Sequence, residues 1–433
     1  MKSRSFASLR MTTWVIGLTI LSVKALAQDG ASSIATKITV RKLGPTVRTS
    51  AITFGGVQHI RRLSDGRLLV NDPSRRQVLM LDSTLANASV VIDSVGGRDN
   101  SYGLRSGGII PYRGDSTFFV DPTSSTLLLI DPAGKIARVM SMPTNAVSYL
   151  ASPGSYGYPG YSEAFGIVFR MQANSFRYPN NPPQEGAPEV VIKYEDSIAV
   201  IGMKLSTRKG DTLAKYGTGQ QMVARISWNN VDMNGTNELF PVSNDWALAA
   251  DGSIALLSGR EYRLRWINTD GTKTDSPRLP FTWDPNPDDE KQRMADSINT
   301  QRKQQYDNML ASRQRRADSL KAANKTVPPE LTRPQRLPDV VRMLDIPDYF
   351  PAYERQSNSM RADADNNIWI RPRPPRSYRG GPVYDVVNRH GELVDKVELP
   401  QGRTLIGFGP GGIVYLLARD AGATRIEQAR FKP

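Results

Sequence analysis

The chain has 433 residues, of which 39% are apolar and 23% charged. That is ordinary globular composition, with ample length for a large core. It contains no cysteine and carries a formal charge of +14, so thiol catalysis, thiolate metal sites and disulfide staples are excluded.

The N-terminus carries a three-part secretory pattern. Lys2, Arg4 and Arg10 form a basic start, residues 11–23 an apolar run, and Ala25-Leu26-Ala27 an A-x-A cleavage site before Gln28. The run is short for a membrane span, which needs roughly 20 apolar residues. Lys24 interrupts the segment before the cleavage site, so a retained anchor is the alternative. The expected organisation is a signal peptide over 1–27, a flexible mature N-terminus over 28–35 and one domain over 36–433. The expected location is periplasmic or secreted, with no transmembrane segment after cleavage. A basic exported protein meets anionic lipids, polysaccharides and acidic partners before it meets nucleic acid.

From residue 65 onward the chain repeats itself. "DGRLLVNDPSRRQVLMLDSTL" begins at Asp65, "GDSTFFVDPTSSTLLLIDPAGK" at Gly114 and "DGSIALLSGREYRLRWINTDGT" at Asp251. Further copies begin at Asp365 and Gly411. Each is a turn, an apolar strand, a polar break and a second apolar strand. The second turn is the most specific feature. Asp131 to Gly134, Asn268 to Gly271 and Asn388 to Gly391 all set Asp or Asn first and Gly fourth, as a type I turn prefers.

Runs such as "FFV", "LLLI" and "IALL" are continuously apolar, so both faces of each sheet are covered. Small sheets stacked around an axis satisfy this, and Asp65 to Asp115 spans 50 residues, against roughly 40–50 per propeller blade. "FGIVFRM" from Phe165 and "DSIAVIGMKL" from Asp196 supply another blade, making six. The last blade is one strand short, and Thr36 to Leu43 is expected to complete it and close the ring. The fold class is therefore all-β, a six-bladed β-propeller closed by an N-terminal strand.

With these repeats, the chain resembles six-bladed propellers of the NHL and TolB-like type, particularly exported bacterial ones. "SVGGRDNSYGLRSGG", from Ser94, is similar to the Gly-rich segment between their blades. The resemblance covers most of 36–433 and implies fold rather than activity, because related propellers include hydrolases, lyases and binding modules.

One segment breaks the pattern. Residues 287–326 are polar, lack Gly and carry a thin apolar stripe, so the sequence predicts a helical insertion with Asn286 as N-cap and Pro287 as first residue. It is either a solvated helix or helix pair resting on the propeller, or a lid or docking arm.

Chemistry is sparse. His390 belongs to a blade turn, and two distant histidines without cysteine do not make a zinc site. "GFGPGG", Gly407 to Gly412, precedes a strand rather than a helix and fails as a dinucleotide fingerprint. "DADNN", from Asp363, lacks the Gly and Glu of a calcium loop. No cofactor is expected, although calcium held by separate loops stays open. The loop "SPGSYGYPGYSEAFG" carries Tyr156, Tyr158 and Tyr161 among Gly and Pro, which suits stacking on a planar ligand or covering the rim. Arg371, Arg373, Arg376 and Arg379 share one loop that either grips an anion or is solvated.

Seven and six residues before the turn Asp, the repeats place Gln58 and His59, Asn244 and Asp245, Asn358 and Ser359. Ring symmetry sends equal offsets to one mouth of the central channel, although polar residues also simply mark strand starts. The reading is a monomeric exported binding or scaffold propeller that engages a protein, glycan or other anionic ligand there. The alternative is a lactonase-like hydrolase or lyase with a channel-bound metal. Asp245 is the only acidic group the repeats bring to the mouth, which favours binding.

Overall fold

The computed structural model describes residues 38–433 except 96–100, 152–156, 173–178, 180, 182, 228–229, 236–242, 333, 336, 339, 354–358 and 432–433. The proposed signal peptide lies outside the described residues.

Six sheets, antiparallel apart from one added N-terminal strand, follow one another along the chain as the blades of a propeller. Their innermost strands are His59–Arg62, Gly108–Pro111, Gly160–Ser162, Asp245–Leu248, Met360–Ala362 and Arg403–Gly409, which number blades 1 to 6. The continuous apolar runs behave as their composition demands. Every residue of Leu68–Asp72 and Thr117–Asp121 is buried, because neighbouring blades cover both faces. Apolar side chains of adjacent blades merge into shared clusters; Leu69 and Met80 of blade 1, for example, pack with Ile109 and Phe119 of blade 2.

The repeated turns also form as read. The amides of Gly134, Gly271 and Gly391 donate to the carbonyls of Asp131, Asn268 and Asn388 at 3.0, 2.9 and 2.9 Å. Each of these glycines has φ near +80°, which explains the Gly at the fourth position.

The N-terminal closure differs from the expectation. Val40–Lys42, inside the expected strand, pairs in parallel with Leu393–Glu398 as a fifth strand on blade 5. Blade 6 is completed instead by Arg48–Thr49, antiparallel to Ala423–Arg430. The amides of Val47, Ser50 and Phe54 donate to the carbonyls of Gln428, Ile426 and Thr424 at 2.7, 2.8 and 2.9 Å. Thr36 to Leu43 reads as the better strand by propensity, but Phe54 and Val57 bury themselves in the core of blades 1 and 6 and fix the register of what precedes them. The ring is closed by an N-terminal strand, a few residues later than expected.

Antiparallel meanders put all strand starts of the innermost layer on one face. The opposite face, among the described residues, carries short turns such as Asp131 to Lys135 and Asn268 to Thr272. The face of the strand starts carries the long connections. One holds the helix Thr144–Ala151. A second is the ribbon of blade 3, where the third and fourth strands run on past Gln172. A third holds the helix Asp288–Ala322, whose 35 residues span about 52 Å at 1.5 Å each.

That helix starts one residue later than expected. Pro287 takes the cap position, and Asn286 is buried, its side-chain amide donating to the Pro347 carbonyl at 2.7 Å. The helix is pinned at its base. Lys291 donates to Asp348 at 2.7 Å, and Glu290 pairs with Arg376. Ala295, Met294 and Ile298 pack with Val341 and Ile346 on the returning chain. Among the described residues, no helix is long and apolar enough to cross a membrane.

Candidate functional site

The innermost strands surround a cavity of about 440 Å³. All six blades contribute to its wall. It runs from His59, Tyr158 and Met360 at the face of the strand starts to Arg62, Tyr112 and Ala250 at the other end.

At the first end three alternate blades meet. Tyr158 leads into the innermost strand of blade 3, and its ring lies 5.2 Å from the ring of His59 on blade 1. The guanidinium carbon of Arg361, on blade 5, stands 3.8 Å from the centre of the same Tyr158 ring. Gly157 makes this reach possible. Its φ is +85°, and a Cβ there would lie 2.5 Å from Nε1 of Trp246.

His59 is buried, and its Nδ1–H donates to the Ile109 carbonyl at 2.9 Å. Burial, then the Arg361 and Arg61 charges, push it down to about 3 against that hydrogen bond. The ring is therefore neutral, with Nε2 left as an acceptor. Burial lowers Arg361 and is opposed by the phenols of Tyr158 and Tyr384. Burial likewise raises Tyr158, against Arg361.

The polar residues at strand starts divide into two groups. Asp245 and Ser359 are brought together by Tyr353. The Tyr353 hydroxyl donates to Oδ2 of Asp245 at 2.5 Å and lies 2.6 Å from Oγ of Ser359. The Trp246 amide donates to Oδ1 of Asp245 at 2.9 Å. Burial pushes the Asp245 carboxyl up to about 6, with Tyr353, the Trp246 amide and Arg170 opposing. Arg170 is itself buried, and its Nε and Nη1 have no hydrogen-bond partner.

The other candidates sit apart from that pair. Asn244 spans backbone, donating to the Gly217 carbonyl at 2.8 Å and accepting from the Gly259 amide at 3.1 Å. The side-chain oxygen of Gln58 is buried without a partner. Tyr161 lies toward the opposite end, 4.7 Å from the ring of Tyr112 and 3.2 Å from Glu163. Tyr158 and Tyr161 therefore do not form one cover. Tyr156 and Asn358 lie outside the described residues.

Of the Arg371 to Arg379 loop, Arg373 and Arg376 stack 4.5 and 5.6 Å from the centre of the Phe350 ring, so this part of the loop ties blade 5 to the base of the helical insertion. His390 is exposed in its turn. Among the described residues, no three His, Asp or Glu side chains are grouped to hold a metal ion.

Sequence reasoning passed over Tyr353, Arg170, Arg61 and Arg361. Tyr353 belongs to no repeat and Arg170 sits in an ordinary strand. The two other arginines did leave a signal: Arg61 and Arg361 both stand four residues before the turn Asp of their repeats.

No protein-family model matches the chain, and no curated protein matches it. Solved structures resemble it in shape at low identity. A DUF4221 family member from Bacteroides vulgatus is 8% identical over 91% of this chain and 98% of its own, with a TM-score of 0.40. Virginiamycin B lyase from Staphylococcus aureus is 11% identical over 91% and 99%, with a TM-score of 0.35. The calcium-binding protein regucalcin from Agrobacterium tumefaciens is 10% identical over 91% and 99%, with a TM-score of 0.34. The class of this chain, a six-bladed β-propeller, rests on its own six sheets.

Proposed function

We propose that the chain is an exported binding propeller that engages a ligand or partner at the channel face where the innermost strands begin. The observation that carries this reading is the stack of His59, Tyr158 and Arg361, which three separate blades send to one point at the end of a 440 Å³ cavity. Cavities of this size with aromatic walls and a few convergent polar groups are the usual form of a small-molecule site. The long connections on the same face offer further surface to a partner. Export rests on the basic, apolar and A-x-A pattern of the first 27 residues.

A thermal-shift ligand screen tests the reading, repeated on Tyr158→Ala and Tyr161→Ala. A hit should lose its shift in Tyr158→Ala. A hit that survives Tyr158→Ala but not Tyr161→Ala would move the site to the opposite end of the channel.

One observation favours acid–base chemistry as a second reading. Asp245 is a buried carboxyl held near 6 beside the Tyr353 hydroxyl, which is where a general base is expected to sit. Turnover of any ester or lactone that is abolished in Asp245→Asn would establish it.

A further inference from the structure

We propose that the channel cavity binds a small organic oxyanion, a carboxylate or phosphate borne on a flat ring, between the arginines of blades 1 and 5. This rests on the channel-face reading and names its ligand class. Arg61 and Arg361 both line the cavity, and each is only 8% exposed. A buried cation is costly unless negative charge accompanies it. Arg61 is held by neutral oxygens. It donates to Thr117 Oγ1 at 2.9 Å, to the Tyr112 carbonyl at 3.0 Å, and to the carbonyls of Gly114 and Ser116. These contacts occupy Nη1 and Nη2 and leave its charge standing. Asp115 acts on it from a distance, its own carboxylate being bound to Ser64. Arg62 adds a third guanidinium to the wall and donates to the Leu63 carbonyl.

The carboxylate in the cavity wall, Asp363, is turned away to its own turn. It accepts from the amides of Asp365 and Asn367 at 2.9 and 2.8 Å, from the Asn367 side chain at 2.9 Å and from Trp369 Nε1 at 3.0 Å. Four donors saturate it. Its charge stands, as that of Arg61 does, but among the described lining residues three guanidiniums, Arg61, Arg62 and Arg361, face this one carboxylate, so the net charge of the wall is positive. The rest of the wall is rich in aromatic residues: Tyr112, Tyr158, Tyr161, Trp246 and Phe408. Guanidinium groups in a confined, poorly hydrated space favour oxyanions, and aromatic faces favour a flat body. The volume of about 440 Å³ falls within the roughly 300–1,000 Å³ of small-molecule sites.

Calorimetric titration of the full chain with benzoate, phenyl phosphate and neutral benzamide tests the proposal. At least one anion should bind, and benzamide should bind about tenfold or more weakly. Either order of the two anions supports the proposal and identifies the charge source. Arg361→Met should weaken the anion by about tenfold or more and leave benzamide unchanged. Arg62→Met is the second variant should Arg361→Met fail to fold, with about threefold weakening expected. Benzamide binding as tightly as the anions, and lost in Tyr158→Ala, would overturn the anionic class while the channel reading stands. Absence of anion binding at millimolar concentration overturns the proposal, as does an affinity unchanged in both arginine variants. An affinity also unchanged in Tyr158→Ala removes the channel reading too.

Discussion

The guanidinium of Arg361 lies 3.8 Å from the centre of the Tyr158 ring, although the two residues belong to blades 5 and 3. The contact joins alternate blades at the axis, so it contributes to stability as well as to the site. Tyr158→Ala should cost about 1–3 kcal/mol, and Tyr158→Phe, which keeps the ring, much less. Urea denaturation measures both. Equal losses in the two variants would show that the hydroxyl, and not the stack, carries the contact.

His59 and Asp245 answer pH in opposite directions. His59 is held at about 3, below its ordinary 6.5. The unfolded chain therefore takes up a proton below 6.5 that the folded chain refuses, and the stability from this group is present above 6.5 and lost as pH falls toward 3. Asp245 is held at about 6, above its ordinary 3.8. The folded chain keeps a proton that the unfolded chain has released, so its contribution is present below 3.8 and lost as pH rises through 6. Each pH unit is worth about 1.4 kcal/mol per group. Between about pH 4 and 6 the two slopes oppose each other. Asp245→Asn should gain stability across this window as pH rises, and His59→Gln should lose it. Denaturant titrations at several pH values measure the slopes, and parallel slopes in the two variants would contradict the assignment.

Closure of the ring is separable by truncation. Removing the chain through Gly44 takes away the parallel strand on blade 5, the buried Leu43 side chain and the Gly44 amide's bond to the Arg430 carbonyl, but leaves the strand that completes blade 6. Removing it through Ser50 also takes the strand that completes blade 6 and its bonds to Gln428 and Ile426. The second truncation should lower the melting temperature much more than the first, because it exposes an unpaired edge. Equal effects would place the closing strand at Val40–Lys42 after all.

Asp72 is fully buried and accepts from the amides of Gly55, Gly56 and Arg75 at 2.7, 3.0 and 3.3 Å. Asp72→Ala would leave the Gly55 and Gly56 amides short of their acceptor, the Arg75 amide keeping the backbone carbonyl of position 72 at 3.2 Å, and should cost about 2–4 kcal/mol. Thermal or urea unfolding reads this directly, and a loss below about 0.5 kcal/mol would mean that water replaces the carboxylate.

The repeat made the blades legible, because turn chemistry and double-sided burial are both local properties, and the sequence writes out the strand pattern in five copies and the specific turn in three. It also placed Asp245 and Ser359 near each other through their shared offset. It could not show that Tyr353 joins them, because Tyr353 enters from the far end of an 84-residue connection between the strands that end at Asp275 and begin at Met360. The partition of the tyrosines was hidden for a different reason. Tyr158 and Tyr161 are three residues apart, but one precedes the innermost strand and the other lies within it, so they serve opposite ends of the channel. The closing strand was misplaced because propensity favoured Thr36 to Leu43, whereas the burial of Phe54 set the register.

The proposed ligand site lies where the innermost strands begin. Hydrogen exchange, with and without a ligand found by screening, tests it most directly. Amides around His59, Gly160, Trp246 and Arg361 should slow together, since four blades share one cavity wall there. Protection confined to the helix Asp288–Ala322, or to the turns at Asp131 and Asn268 on the opposite face, would contradict the account.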